Sequence, residues 1–323
     1  MKISKKIILL LAIMVTIIYI YIYIMVTNQK QEHELYLKSN GMEVTILGES
    51  TMPDYFNGIA CGYIIKTYNG KLIIVDGGND VDYENIYNYI TGIGNGTVDF
   101  WIVTHPHSDH VGALCKLLES DKEFRINTLC YSILDKNWYE TYDKRGFESE
   151  SKFIDLIKDK RIESQYNCKK NDIFYIDNVK CEIIRIANPE ITNSDNGNDA
   201  SMTFKLITTD SNKSMIFLGD SFLQASKELL KEPELLKSDA VQMAHHGQNG
   251  VTKEVYDAID PDFCFFNSPI WIWNNDIGLG IGSGGWKTLE VRKWCEEYGA
   301  QMIGSCKGDQ TYRFSSAGIF EIP

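Results

Sequence analysis

From residue 42 onward, short apolar runs alternate with segments of helical periodicity through to the C-terminus. Runs rich in Val, Ile, Phe and Thr and bounded by Gly, Asn or Asp predict strands. They cover Glu43–Leu47, Gly62–Thr67, Lys71–Val75, Phe100–Thr104, Thr128–Ile133, Lys180–Ile186, Met202–Thr208, Met215–Leu218, Ala240–Ala244 and Asp262–Phe266. Helices are predicted over Tyr83–Ile90, Gly112–Glu119, Ser149–Asp159, Ser221–Lys231, Lys253–Ile259 and Thr288–Tyr298. In the last, Leu289, Arg292, Lys293 and Glu296 recur at helical spacings, and Val291 and Trp294 lie one turn apart. Pairs of strands followed by a helix predict a layered α/β protein rather than a doubly wound parallel sheet. No repeat or linker-like break interrupts the alternation, so one domain over residues 42–323 is expected.

The N-terminus differs in kind. Ile7–Val26 is a run of twenty residues without a charge. As a helix rising about 1.5 Å per residue it would cover roughly 30 Å, the thickness of a bilayer's hydrocarbon core. Lys2, Lys5 and Lys6 precede it and favour a cytoplasmic N-terminus. The run is long for a cleaved signal peptide, no A-x-A-like site follows it, and Tyr19, Tyr21 and Tyr23 suit an interfacial end. We therefore expect residues 1–27 to be a transmembrane signal anchor in the cell membrane. Residues 28–41, with His33, form a polar linker, and the remaining domain is extracytoplasmic. The sequence points to no protein partner.

Charge narrows the candidate partners. The whole chain carries −12, and residues 1–27 hold three lysines and no acid, which leaves −15 on the remainder. Such a surface repels nucleic acid and anionic lipid unless the charge is locally reversed, and bound divalent metal would reverse it locally. The eight cysteines form no C-x-x-C pair, which argues against a zinc ribbon, and several lie in apolar runs as buried free thiols.

The chemistry concentrates in THPHSDHVG, residues 104–112, where three of the chain's six histidines stand with an aspartate. The stretch follows the apolar FWIVT and precedes a helix, so its polar groups emerge at a strand end. His105 and His107 can turn toward one metal, and Asp109 and His110 toward a second. This H-x-H-x-D-H motif resembles the metallo-β-lactamase superfamily of binuclear metallohydrolases. Three further blocks occur in the matching order: KLIIVDGG with Asp76, MIFLGD with Asp220, and VQMAHHG with His245 and His246. The resemblance spans about residues 42–270 and implies a four-layer αββα sandwich with metals along one edge of the sheets. It further implies that Asp76 braces the metal loop and that Asp220 bridges two divalent ions, zinc or manganese. One of His245 and His246 would be a ligand, and the other a donor to a substrate oxygen.

One ligand departs from the broad pattern. Many members carry a histidine between the first motif and the bridging aspartate, whereas here none lies between His110 and His245. Asn198 and Ser201 stand in that region, so the free coordination position falls to water, Asn198 or Asp199. With the doubled histidine, this variant resembles the extracellular hydrolase domain of bacterial competence DNA-uptake proteins. It also resembles phosphorylcholine esterases acting on teichoic acid. The resemblance implies two-metal phosphodiester hydrolysis in which Asp109, beyond binding metal, orients the attacking water. Competence-type members carry a late histidine that this chain lacks, which counts against a nucleic-acid substrate and, with the charge, favours a cell-envelope phosphodiester. A lactonase or thioesterase on the same scaffold and a non-catalytic binding protein are the alternatives. Asp220 could instead cap the following helix, and Asp76-Gly77-Gly78 could be only a turn. Trp271, Trp273 and Trp286 either line a binding cleft or pack beneath a Gly-rich loop.

Overall fold

The computed structural model describes residues 14–28, 30–31, 40–50, 58–59, 61–192 and 196–323. Two sheets carry the fold. The nine-stranded sheet runs Gly318–Ile322, Gln310–Ser315, Met42–Ile46, Gly62–Lys66, Leu72–Asp76, Phe100–Val103, Arg125–Tyr131 and Thr97–Val98, with Ile162–Asn167 also paired to Arg125–Tyr131. The seven-stranded sheet runs Gln301–Gly304, Phe263–Phe266, Ala240–Gln242, Ser214–Phe217, Thr203–Thr208, Val179–Arg185 and Ile173–Ile176.

Period-two alternation assigns the two faces of each strand. Ile73 and Val75 point into the core between the sheets, where Met215 and Phe217 of the other sheet also lie. Leu72 and Ile74 point the opposite way, onto helices Tyr83–Gly92, Ser108–Glu119 and Phe147–Leu156. On the far side, Ile216 and Leu218 pack beneath helices Leu223–Leu229, Lys253–Ile259 and Thr288–Tyr298. Strands covered on both faces read as continuous apolar runs, which is why LIIV and FWIV were recognisable. The layers are helix, sheet, sheet, helix, as expected.

Every predicted strand and helix has a counterpart, shifted by a few residues at the ends. Strands Ile162–Asn167 and Ile173–Ile176 escape the sequence pattern because they are largely exposed and have no continuous apolar face. Gln301–Gly304, Gln310–Ser315 and Gly318–Ile322 join the sheets beyond the span of the family resemblance. All eight cysteines are free thiols, seven of them buried.

Of the predicted span Ile7–Val26, residues 7–13 lie outside the described residues, as does His33 of the linker. Residues 14–28 are helical, and the apolar side chains from Met14 to Val26 are exposed. Among the described residues, no helix is long and apolar enough to cross a membrane.

The strand directions position the site. Leu72–Asp76 runs parallel to Phe100–Val103, and Ser214–Phe217 runs parallel to Ala240–Gln242. Their C-terminal ends deliver Asp76, His105, Asp220 and His245 from two sheets to one edge of the sandwich. Trp101, fully buried, fastens this edge by donating its indole N–H to the Asp76 carbonyl at 2.7 Å. Trp101→Ala should lower unfolding free energy by about 3–5 kcal/mol in chemical denaturation. A loss below about 1 kcal/mol would show that the edge does not depend on this side chain.

Candidate metal centre

Backbone geometry at the strand ends brings the side chains together. Asp76 adopts a left-handed conformation at φ 55°, and glycines with positive φ follow it. Its carboxylate then accepts hydrogen bonds from the Thr104 backbone N–H and hydroxyl, each at 2.8 Å, and from His110 Nδ1 at 2.8 Å. Asp76 thus ties the loop that begins at Thr104 to the end of its own strand. Gly219, at φ +56°, turns the chain where a Cβ would lie only 2.9 Å from the side chains of Thr104 and Ser201. That turn presents Asp220, whose backbone N–H donates to Ser201 Oγ at 2.9 Å.

The doubled histidine solves a geometric problem. In an extended strand, neighbouring side chains point to opposite faces. His245 and His246 instead sit in a 3₁₀ turn, Ala244–Gly247, both left-handed at φ 49° and 58°. Such conformations cost non-glycine residues roughly 1–2 kcal/mol each, and they persist where surrounding structure imposes them. Both rings thereby reach the same edge. His246 is 1% exposed and directs Nε2 to within 3.2 Å of Asp109 Oδ2 and of Asp220 Oδ2. His245 stands farther out, its Nε2 4.0 Å from Asp220 Oδ2.

The ligand atoms of Asp109, His110, Asp220 and His246 all lie within 4.8 Å of one another. His110 Nε2 is 3.2 Å from Asp220 Oδ1. Tetrahedral ligands at about 2.0–2.1 Å from a zinc ion stand about 3.3 Å apart, close to these separations. His105 Nε2, His110 Nε2, His246 Nε2, Asn198 Oδ1 and Asp220 Oδ1 are all buried without a hydrogen-bond partner. Buried polar groups normally find partners, so these atoms are arranged for something other than protein. Imidazole nitrogen and carboxylate oxygen suit a divalent transition metal.

The electrostatics agree. Burial would raise the Asp220 carboxyl, but His246 and His110 hold it well below the usual carboxylate range. Burial works against charge on His246 as well, yet Asp220 and Asp109 push it up to about 9. His105, buried beside His110 and His107, is driven well below the ordinary imidazole value and stays neutral. Cys61 lies against Asp76 and His110, but burial pushes its thiol up to about 12, so it faces them as a neutral group.

The remaining predicted residues divide. His107 lies beside His105, ring centroids 4.5 Å apart, but its Nε2 turns away to Asp143 Oδ2 at 2.6 Å. Asn198 lines the cleft with its Oδ1 buried and unpartnered, and Ser201 supports the Asp220 backbone. Asp199 is committed elsewhere: it accepts the Phe222 and Ala225 backbone N–H groups at 2.9 Å and caps the helix that follows Asp220. Asp220 is therefore free of the capping role that its position allowed. The tryptophans split as well. Trp273 packs on Phe266 and beneath Arg292, whereas Trp286 lines the cleft and meets Trp271 edge-on.

Sequence reasoning missed Asp143, Glu150 and Arg145. Nothing around Asp143 or Arg145 forms a motif, but Glu150 left a signal. It occupies the apolar stripe between Phe147 and Phe153, three residues from each, where an acid is out of place. The cleft over the centre measures about 830 Å³ and is lined by His107, Asp109, Arg145, Asn198, His245 and Trp286 among others.

Comparison with known proteins agrees with this geometry. Residues 57–161 match the Metallo-beta-lactamase superfamily. ComE operon protein 3 of Bacillus subtilis is 25% identical over 170 residues, covering 52% of this chain and 19% of that protein. The chain therefore corresponds to about a fifth of that relative's length. The metallo-beta-lactamase fold protein YhfI of Bacillus subtilis superposes with a TM-score of 0.52 at 11% identity, covering 88% of this chain and all of YhfI. Unliganded yeast PDE1 superposes with a TM-score of 0.50 at 10% identity, over 85% of this chain and 100% of that one. At these identities the two structures show a common fold.

The division between ligand and cap is testable. Asp199→Ala should cost about 1–2 kcal/mol of stability in denaturant titration, as the loss of a helix cap does, with zinc uptake unchanged. Loss of metal at wild-type stability would make Asp199 a ligand instead.

Proposed function

We propose that this chain, which carries a metallo-β-lactamase superfamily domain, is a metal-dependent phosphodiesterase tethered to a membrane by its N-terminal segment. The observation that carries the reading is the set of buried, unpartnered imidazole and carboxylate atoms converging on Asp220 beneath an open cleft. Asp109, His110 and His246 would hold one divalent ion, and His105 and His107 would hold a second. Asp220 would be shared, and Asn198 would stand where the family's further histidine is absent. Zinc suits the mixed nitrogen and oxygen donors, and manganese is the alternative. When bound, such a pair of ions lowers the pKa of a water toward neutrality and neutralises charge on a phosphoryl oxygen.

The chain's own residues would supply the rest. Asp109, partly exposed at the cleft and 3.2 Å from His246 Nε2, would orient the attacking water. Asn249 O accepts from His245 Nδ1, which leaves Nε2 pointing into the cleft, where it can donate to an oxygen that gains charge in the transition state. Exposed Arg145 on the cleft wall suits a phosphate, which a lactone or thioester does not carry. The −15 outside residues 1–27 favours a cell-envelope phosphodiester over nucleic acid. The uncharged run Ile7–Val26 and its preceding lysines support a single-pass anchor, with the domain outside the cytoplasm.

The full-length protein in detergent should hydrolyse an aryl phosphodiester, lose that activity to a chelator and regain it with zinc or manganese. His246→Ala should release metal, whereas His245→Ala should keep it and lose about 10²–10³ in kcat. Turnover of a lactone or thioester with an inert phosphodiester would point to another hydrolase. A metal-free, inactive protein would point to a binding role. Among natural polymers, teichoic acid should be cleaved and single-stranded DNA spared; the reverse result would reassign the substrate.

A further inference from the structure

We propose that Asp143, backed by Glu150, is a positioning residue that fixes the ring of His107 at the metal centre. The inference rests on the binuclear reading and extends it to a pair of acids that no motif marks.

His107 is the odd member of the site's imidazoles. His110 gives its Nδ1 to Asp76 at 2.8 Å, His246 gives its Nδ1 to Asn267 O at 3.2 Å, and His105 places Nδ1 3.2 Å from Thr104 Oγ1. Each of the three keeps a buried Nε2 without a partner at the centre. His107 is reversed: Nε2 bonds Asp143 Oδ2 at 2.6 Å, and Nδ1 has no hydrogen-bond partner among the described residues. A neutral imidazole facing a carboxylate must donate there, so its lone pair lies on the other nitrogen. A carboxylate behind a ligating histidine fixes the ring and raises its basicity. Asp143 thus stands to His107 as Asp76 stands to His110.

The surroundings are built to keep the contact in place. Asp143 follows helix Lys136–Tyr142, and its own N–H donates to Tyr139 O at 2.7 Å. Glu150 is fully buried, with Oε1 3.7 Å from His107 Nε2 and its carboxyl against that of Asp143. Two glycines close the box. A Cβ on Gly146 would lie 2.6 Å from His107 Nε2, and one on Gly197 would lie 1.6 Å from Asp143 Oδ2 and 2.4 Å from His107 Nε2. Any side chain at residue 197 must disturb the contact between the Asp143 carboxylate and the His107 ring. Gly197 immediately precedes Asn198, so the segment lacking the family's histidine also confines the carboxylate that steadies His107.

The test uses the full-length protein, with zinc and cobalt as probes. Asp143→Asn should remain folded and still take up two ions at saturation. One of them should bind about 10–100-fold more weakly in chelator competition, a loss typical of such supporting groups. The cobalt absorption spectrum should change with it. Gly197→Ala, which leaves every acid in place but crowds the contact between Asp143 Oδ2 and His107 Nε2, should reproduce the loss. Wild-type affinity and an unchanged cobalt spectrum in both variants would overturn the proposal and leave the binuclear reading intact. A third ion in the wild-type protein that Asp143→Asn loses would also overturn it, making His107, Asp143 and Glu150 a cation site in their own right. A wild-type protein that binds fewer than two ions would overturn the binuclear reading and this inference together.

Discussion

The site depends on one electrostatic constraint: two carboxylates, Asp109 and Asp220, crowded 3.2 Å from the buried imidazole nitrogens of His110 and His246. Asp220 is 2% exposed, and the facing Nε2 atoms of His110 and His246 are buried without partners. Burying charge costs several kcal/mol that close ion pairs offset only in part. The fold nonetheless assembles the cluster from three strand ends in two sheets and holds two consecutive left-handed histidines to complete it. A cation at the centre would offset both costs, because the same atoms that are unsatisfied in protein are ligands to a metal.

The sandwich makes this possible by dividing the labour. The strands are buried on both faces and supply a rigid frame, while the loops at their C-terminal ends carry the polar groups. Asp76 connects the two roles. It ends a core strand, holds the Thr104 hydroxyl and amide, and orients His110. His245 and His246 divide in the same way, one turned inward to the carboxylates and the other outward to the cleft.

Much of this was legible because metal chemistry and buried strands both demand particular residue types in order. HPHSDH, VDGG, FLGD and AHHG each place polar residues after an apolar run, and each lies at one edge of the sandwich. What escaped the sequence depends on contacts between distant segments. Asp143 reaches His107 across 36 positions, and no local pattern announces such a meeting. Asp199 and Asp220 are both acids near one helix start, and only the observed hydrogen bonds assign the cap to Asp199. The placement of His245 and His246 turns on left-handed backbone that residue identity does not encode. The exposed strands Ile162–Asn167 and Ile173–Ile176 lack the apolar face that reveals a strand.

The central claim is that Asp220 stands between two metal ions. An anomalous difference map from crystals of the zinc-loaded protein, collected at the zinc absorption edge, tests it most directly. The account predicts two peaks about 3.5–4 Å apart, both within ligand distance of Asp220, one beside His110 and His246 and the other beside His105. A single peak, or peaks remote from Asp220, would contradict it.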